Sequence, residues 1–163
     1  TSKRAAETLC VAYMHQHNVD VVVARPCHTY GPGFTESDTR AFAQFVRNAR
    51  KHENIVLKSK GEQYRSWLYV KDCVSAILTI LLNGQNGEAY NVADKESCIT
   101  IRELAETIAD IGGANVVYDV PSDVEKQGFS VIRKAVFDTS KLEALGWKPQ
   151  YSLQDALVET ING

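Results

Sequence analysis

The sequence lacks the features that mark membrane, disordered and nucleic-acid-binding proteins. No apolar run approaches the roughly 18 residues that a membrane helix needs, and no signal peptide opens the chain. Its 18 basic and 20 acidic side chains leave a formal charge of −2, without a basic face for nucleic acid or a polybasic segment for a membrane. Only four prolines and no low-complexity segment argue against disorder. We expect a soluble globular chain.

Cysteines are few and scattered, with no C-x-x-C pair and no histidine at zinc-finger spacing. They are Cys10, Cys27, Cys73 and Cys98. This pattern predicts reduced thiols in a cytoplasmic protein, most of them small core residues, and no metal site. A disulfide framework is the alternative interpretation. Because the chain starts at Thr1 directly on a helix start, we also expect a piece of a longer protein.

Strands alternate with helices along the chain, which is typical of an α/β protein with parallel strands. Residues 19–24 are apolar almost without alternation, as in a parallel strand buried on both faces. Further strands are predicted over 55–57, 67–70 and 88–93, with weaker candidates over 116–120 and 131–137. Helices are predicted over about 3–17, 37–50, 72–82, 100–112 and 139–145, and from 152 to the end.

Two of the predicted helices carry clear signals at their first turns. Asp72 is expected to cap the helix over 72–82, in which Val74, Ile77, Leu78 and Leu81 share one face. Thr100 and Glu103 form a capping box for the next helix. After residue 113 and around 58–65 the alternation breaks into short strands and loops, which predicts a smaller, interleaved subdomain.

Ligands of open parallel sheets bind beyond the carboxyl ends of the strands, so polar residues there are candidates for ligand binding. Residues 25–33, Arg-Pro-Cys-His-Thr-Tyr-Gly-Pro-Gly, follow the most buried predicted strand. Arg65, beside the turn 61–63, is the second candidate. Taken alone, such an arginine could equally pair with a surface carboxylate.

Five segments occur in one order along the sequence, and their combination is more specific than any single segment. They are residues 1–3, 25–33, 61–72, 90–92 and 145–149. Together they make the chain resemble the carboxyl-terminal half of an NAD-dependent nucleotide-sugar epimerase/dehydratase, within the extended short-chain dehydrogenase/reductase family. The resemblance extends over nearly the whole chain.

The resemblance implies a fold built from two parts. One is the carboxyl-terminal part of a Rossmann-like doubly wound parallel sheet, made by residues 1–53 and 71–95. The other is a small mixed α/β substrate-binding subdomain, made by residues 54–70 and 96–163.

Lys3 matches the lysine of the family's Tyr-x-x-x-Lys pair, whose tyrosine would stand before Thr1. Residues four apart share a helix face, so the ammonium can reach the cofactor ribose and stabilise the tyrosinate. The resemblance thus implies a catalytic and NAD-binding Lys3, with Pro26 and Cys27 along the nicotinamide. An ordinary surface lysine is the alternative. No G-x-x-G-x-x-G occurs, so most of the adenosine and pyrophosphate site is expected elsewhere.

Three residues are implied to contact a nucleotide-diphosphate sugar. Arg65 matches an arginine that grips the diphosphate, where a guanidinium can bind bidentately. Arg133 resembles a second phosphate-side arginine. His28 stands where the family usually has an asparagine that touches the substrate, and a histidine satisfied within the protein is as plausible there.

The first predicted helix is apolar on most sides and must be covered on two of them. The resemblance implies that the intact enzyme pairs this helix with its copy in a homodimer, although burial against another part of the enzyme would give part of the same pattern.

The implied reaction oxidises a sugar hydroxyl to a ketone and later returns the hydride, with epimerisation or elimination between the two steps. These residues alone are expected to be inactive. The alternatives are a non-catalytic nucleotide-sugar-binding module and a structural remnant of a truncated enzyme. The upstream gene sequence distinguishes the enzyme from the module, and mass spectrometry of the starting material identifies a proteolytic remnant.

Overall fold

Helices and strands alternate in the structure, a computed structural model that describes residues 2–119 and 132–163. The helices are α1 (Ser2–His17), α2 (Ala41–Arg50), α3 (Val70–Asn83), α4 (Ile101–Gly112), α5 (Ser140–Ala144) and α6 (Leu153–Asn162). The strands are β1 (Val23–Pro26), β2 (His28–Tyr30), β3 (Ile55–Leu57), β4 (Tyr64–Tyr69), β5 (Ala89–Val92), β6 (Cys98–Thr100), β7 (Val116–Tyr118) and β8 (Lys134–Ala135). Thr1, Val120 and Val131, named in the sequence predictions, lie outside the described residues.

Parallel pairing dominates the described sheets. β1 pairs with β5, β2 with β4, β3 with β7 and β4 with β8, all in parallel, whereas β6 lies antiparallel to β4. Parallel neighbours need crossover connections, and the helices between the strands supply them. The predicted α/β class with parallel strands is confirmed.

The first strand begins later than predicted, and a second strand follows it at once. Val21 donates its N–H to the side chain of Asn86 and accepts from the N–H of Gly87, so it binds a turn and lies outside the strand. The prediction of a strand over 19–24 is therefore wrong in its bounds. Pro26, expected to end the strand, is its last residue. Residues 28–30, expected in a loop, form β2 against β4.

Two apolar clusters fill the interior. The larger joins α2, α4 and α6 with aromatic residues of β2 and β4, and includes the fully buried Leu104 and Ile108. Gly112 lets α4 approach α2 closely, since a Cβ there would stand 2.6 Å from the Cβ of Ala49. The smaller cluster joins α3, β5 and α5. The division of the chain into a sheet part and a substrate-binding part stays a prediction.

The local signals for α4 are confirmed. The Thr100 hydroxyl accepts the N–H of Glu103, and the Glu103 carboxylate accepts the Thr100 N–H, which completes the capping box. Gly113 follows in a left-handed conformation that glycine adopts without strain and that ends the helix.

The apolar stripe predicted on one face of α3 faces outward. Val74, Leu78 and Leu81 are 52%, 51% and 65% exposed, and Leu82 continues the stripe at 79%. The buried face carries smaller side chains, Cys73, Ala76 and Ile80. Both faces of this helix are apolar, and small residues let it lie close against β4 and β5.

Asp72 does not cap α3, contrary to the sequence prediction. The helix begins after Tyr69, so Asp72 lies in its first turn and is buried. Its carboxylate accepts the backbone N–H groups of Gln150 and Tyr151, at 2.9 and 3.2 Å. It therefore ties α3 to the segment that leads into α6.

Helix α1 has no buried residue. Leu9 and Tyr13 are 60% and 56% exposed, and an ion pair between Glu7 and Arg25 connects the helix to β1. No helix in the described ranges, 2–119 and 132–163, is long and apolar enough to cross a membrane.

Candidate active site

Pro26, Cys27 and His28 occupy the junction between β1 and β2, at the carboxyl end of β1. Cys27 donates its backbone N–H to the carbonyl of Val92, which keeps the chain beside β5 past the end of the strand. His28 then pairs with Trp67 of β4. The three predicted residues thus lie where parallel sheets present ligands.

Lys3 and Pro26 line one cavity of about 570 Å³ between α1 and β1. Its other lining residues are Ala6, Glu7, Cys10, Val22, Val23, Ala24, Arg25 and Phe137. Arg65 is absent from this lining, so Lys3 and Arg65 do not share it. The cavity is mostly apolar, and Lys3, which contributes to its lining, is an exposed residue.

All four cysteines are free thiols, and their placement corrects one expectation. Cys73 is buried, whereas the other three are partly exposed, so most are not core residues. Burial and the neighbouring Cys73 raise the pKa of the Cys27 thiol to about 12. Cys27 therefore stays protonated near neutral pH, which argues against a role as a nucleophile.

Arg65 is buried, with 8% of the residue exposed, and its guanidinium donates to backbone carbonyls alone. The acceptors are Tyr64 at 2.9 Å, Ile132 at 2.7 Å and Arg133 at 3.4 Å. Among residues 2–119 and 132–163 it makes no salt bridge to a carboxylate. These bonds leave further N–H donors, and a buried cation without a counter-ion favours an anionic ligand.

The His28 ring packs against Trp67 and lies in the field of two arginines. The two ring centroids are 5.3 Å apart. Desolvation, followed by the positive charges of Arg65 and Arg40, lowers the pKa of His28, while a hydrogen bond with the Ser66 backbone acts in the opposite direction. The residue as a whole remains exposed, so a ligand can reach it.

Arg40 differs from Arg65 because it has a carboxylate partner. Its Nη2 lies 2.6 Å from Oδ2 of Asp38, and its Nη1 donates to the carbonyl of Thr29. The hydrogen bonds from Arg40 lower the pKa of Asp38 to about 2. This pair is largely neutral overall, so Arg65 is the cation near His28 that has no carboxylate partner among the described residues.

Trp67 was not singled out by the sequence, although it sits within a recognised segment. Its side chain is buried, and its Nε1 has no hydrogen-bond partner within the described parts of the chain. The alternation along β4 could have found it, because residues 65 and 67 share a face of the strand. The indole beside the His28 ring therefore carries a buried donor without a partner in the described residues.

Arg133 contributes through its backbone. Its carbonyl accepts the N–H of Tyr64 and a weaker bond from Arg65, while the residue is exposed. The structure thus brings His28 and Arg65 together and places Arg133 directly beside Arg65. In the two described ranges, no group of three or more histidine, cysteine, aspartate and glutamate side chains could hold a metal ion.

Comparison with known proteins identifies the family that this chain resembles. The model of the NAD dependent epimerase/dehydratase family matches residues 1–93, more than half of the chain. UDP-glucuronic acid decarboxylase 6 of Arabidopsis thaliana is 32% identical over 159 residues, covering 95% of this chain and 44% of that protein. The chain spans about half the length of the curated relatives it matches.

Solved structures agree on the fold. The dTDP-glucose 4,6-dehydratase of Streptomyces venezuelae, with NAD and TYD bound, has a TM-score of 0.82 at 27% identity over 99% of this chain and 48% of that one. The UDP-glucose 4-epimerase of Thermotoga maritima reaches a TM-score of 0.85 at 24% identity, over 98% of this chain and 50% of that one. The predicted Rossmann-like α/β fold is confirmed, and the chain belongs to the NAD dependent epimerase/dehydratase family.

Proposed function

We propose that these residues form the substrate-binding half of an NAD-dependent enzyme that oxidises a nucleotide-sugar hydroxyl to a ketone before epimerisation or elimination. Relatives named for UDP-glucuronic acid and for dTDP-glucose support a nucleotide-diphosphate sugar as the ligand class. A cytoplasmic location belongs to the same proposal. The observation that carries it is the buried Arg65 guanidinium without a carboxylate partner in the described residues.

A diphosphate fits this site chemically. Arg65 offers a planar fork of donors, its positive charge acts on the His28 ring, and the backbone carbonyl of Arg133 accepts a hydrogen bond from the same guanidinium. Phosphate oxygens accept such donors in pairs, and the low dielectric of the buried site strengthens each bond. Arg65 and His28 would therefore bind and orient the nucleotide sugar.

The cavity beside Lys3 fits part of a dinucleotide. Its mostly apolar lining suits a ring, and Lys3 and Pro26 border it, with Cys27 next to Pro26 in the chain. NAD, when bound, supplies a hydride acceptor and donor. Lys3 would hold the ribose hydroxyls and stabilise the charge of a neighbouring acid/base, while Pro26 and Cys27 position the ring. With no G-x-x-G-x-x-G among these residues, we expect no turnover from them alone.

Binding is the direct test. The protein as expressed from its own gene should bind UDP-glucuronic acid or dTDP-glucose in isothermal titration calorimetry, and should bind glucose 1-phosphate far more weakly, because that sugar lacks the diphosphate. Equal binding of all three ligands, or of none, would contradict the proposed function.

Replacing Lys3 with methionine should depress turnover of the natural protein by about a hundredfold or more, in the range expected when an acid/base loses its positioning. Steady-state rates with NAD and the best-bound nucleotide sugar measure the effect. Arg4→Met, at the neighbouring exposed position, is the matched control and should keep most of the activity. Wild-type rates in Lys3→Met would end the catalytic assignment of Lys3.

A homodimer through α1 is part of the proposal, supported by the exposed apolar side chains of that helix. Leu9→Glu should shift the natural protein from dimer to monomer mass in light scattering, because a charge would be buried at the centre of the interface. Gln16→Glu, at an exposed polar position of α1, should leave the mass unchanged. An unchanged dimer in Leu9→Glu would place the interface elsewhere.

A further inference from the structure

We propose that His28 takes up a proton when the site binds the diphosphate of a nucleotide sugar, so that ligand affinity rises as the pH falls. This inference rests on the proposed function and goes beyond it, because it assigns to one side chain the pH dependence of recognition. His28 stands at the junction of β1 and β2.

The geometry makes His28 sensitive to an arriving anion. One side of its ring packs on the buried indole of Trp67, while the residue remains exposed to solvent. Among the described residues, the charged groups that act on the ring are cationic, namely Arg65 on β4 and Arg40 ahead of α2. A ligand anion between His28 and Arg65 would reverse the sign of the local field, and partial burial reduces the screening of that change.

The other ionisable groups around this ring do not titrate near neutral pH. Arg65 and Arg40 stay charged, Asp38 has a pKa of about 2, and Cys27 has a pKa of about 12. Tyr30, on the same strand as His28, has its pKa raised by burial. In the described residues that face the ring, His28 is thus the group able to change charge between pH 5.5 and 8.

The direction of the effect follows from the two states of the ring. In the free protein the pKa of His28 is lowered, so the imidazole is neutral at pH 7.5. A bound diphosphate favours the imidazolium and raises that pKa. Between the free and bound pKa values the complex holds more protons than its separate parts, and affinity increases on acidification. A difference of one pKa unit corresponds to about a tenfold change in affinity.

Calorimetric titration of the natural protein with dTDP-glucose or UDP-glucuronic acid at pH 5.8 and 7.8 tests the proposal. The diphosphate diesters of both ligands keep their charge over this range, so a change in affinity reports on the protein. We expect roughly tenfold tighter binding at the lower pH. Buffers that differ in ionisation enthalpy should show uptake of a fraction of a proton on binding.

Two variants separate His28 from the rest of the protein. His28→Asn keeps a hydrogen-bonding side chain that cannot become charged, and should bind with nearly the same affinity at both pH values. His52→Asn is the matched control and should keep the wild-type pH dependence. The His52 ring contacts the carbonyl of Gly112, the last residue of α4. Residue 52 has a positive φ, which asparagine tolerates.

Several results would overturn the inference. If the wild type binds equally tightly at both pH values, the inference about His28 is wrong, whereas the proposed function is unaffected. A pH dependence that survives in His28→Asn would assign the proton to another group. Absence of nucleotide-sugar binding at any pH would reject both proposals. If His28→Asn fails to fold, NMR titration of the His28 ring with and without ligand tests the inference by measuring whether the ligand raises the pKa of the ring.

Discussion

Arg65→Ala will weaken nucleotide-sugar binding by about tenfold or more. A hydrogen bond to a charged group contributes about 1.5–3 kcal/mol, and the guanidinium of Arg65 is the buried cation of the site without a carboxylate partner in the described residues. Isothermal titration calorimetry of the natural protein with dTDP-glucose or UDP-glucuronic acid measures the loss. An unchanged dissociation constant in a folded variant would remove Arg65 from the site.

Matched variants distinguish three contributions of Arg65: the paired donors of its planar guanidinium, its positive charge, and its hydrogen bonds to backbone carbonyls. Arg65→Lys keeps the charge but cannot reproduce the fork, so binding should remain weaker than in the wild type. Arg40→Ala should cost less, because Asp38 already balances the charge of Arg40. Thermal unfolding of each variant shows how much of the effect comes from losing the bonds to the carbonyls of Ile132 and Arg133.

Asp72→Ala will destabilise the fold by about 2–4 kcal/mol. It would leave the backbone N–H groups of Gln150 and Tyr151 without their acceptor at the buried position of Asp72, and each such loss costs about 1–3 kcal/mol. Denaturant unfolding measures the change. Asp72→Asn retains one acceptor oxygen and should lose less, and Asp20→Ala, at an exposed position, should be nearly neutral. A loss below about 0.5 kcal/mol in Asp72→Ala, the range of ordinary surface changes, would contradict this account.

Features set by neighbouring residues could be predicted from the sequence. The capping box of Thr100 and Glu103 and the glycine end of α4 depend on contacts within a few positions, and both are present. The strand β2 was missed because its partner, β4, lies almost 40 positions along the chain, at Trp67 for His28. Three residues give too short a pattern to reveal such a partner.

Helix α3 shows a second limit of sequence patterns. A period of 3.6 residues finds a helix face, but both faces of α3 are apolar, and the pattern cannot say which one faces the sheet. Packing distance decides it, since Ala76 and Cys73 fit closely where Leu78 and Leu81 would not. Asp72 was misjudged for a related reason, because its partners lie nearly 80 positions away.

The candidate site was predicted in part. Recognised segments pointed to Lys3, Pro26, Cys27, His28 and Arg65, and the family resemblance added Arg133. The structure gathers His28, Arg65 and the Arg133 backbone in one place. Their catalytic and binding roles stay predictions. What the sequence could not give is the environment of each group, such as the carbonyl ligands of Arg65 or the indole beneath His28.

Helix α1 carries Lys3 yet buries none of its own side chains. An isolated helix of 16 residues is only marginally formed in water, and the ion pair of Glu7 with Arg25 is one of the few contacts that hold α1 against β1. The orientation of Lys3 would therefore depend on any further surface that covers the outer side of α1. If that surface is a second subunit, dilution would lower specific activity at concentrations where far-ultraviolet circular dichroism still reports an intact sheet, and amide hydrogen exchange would be fastest in α1.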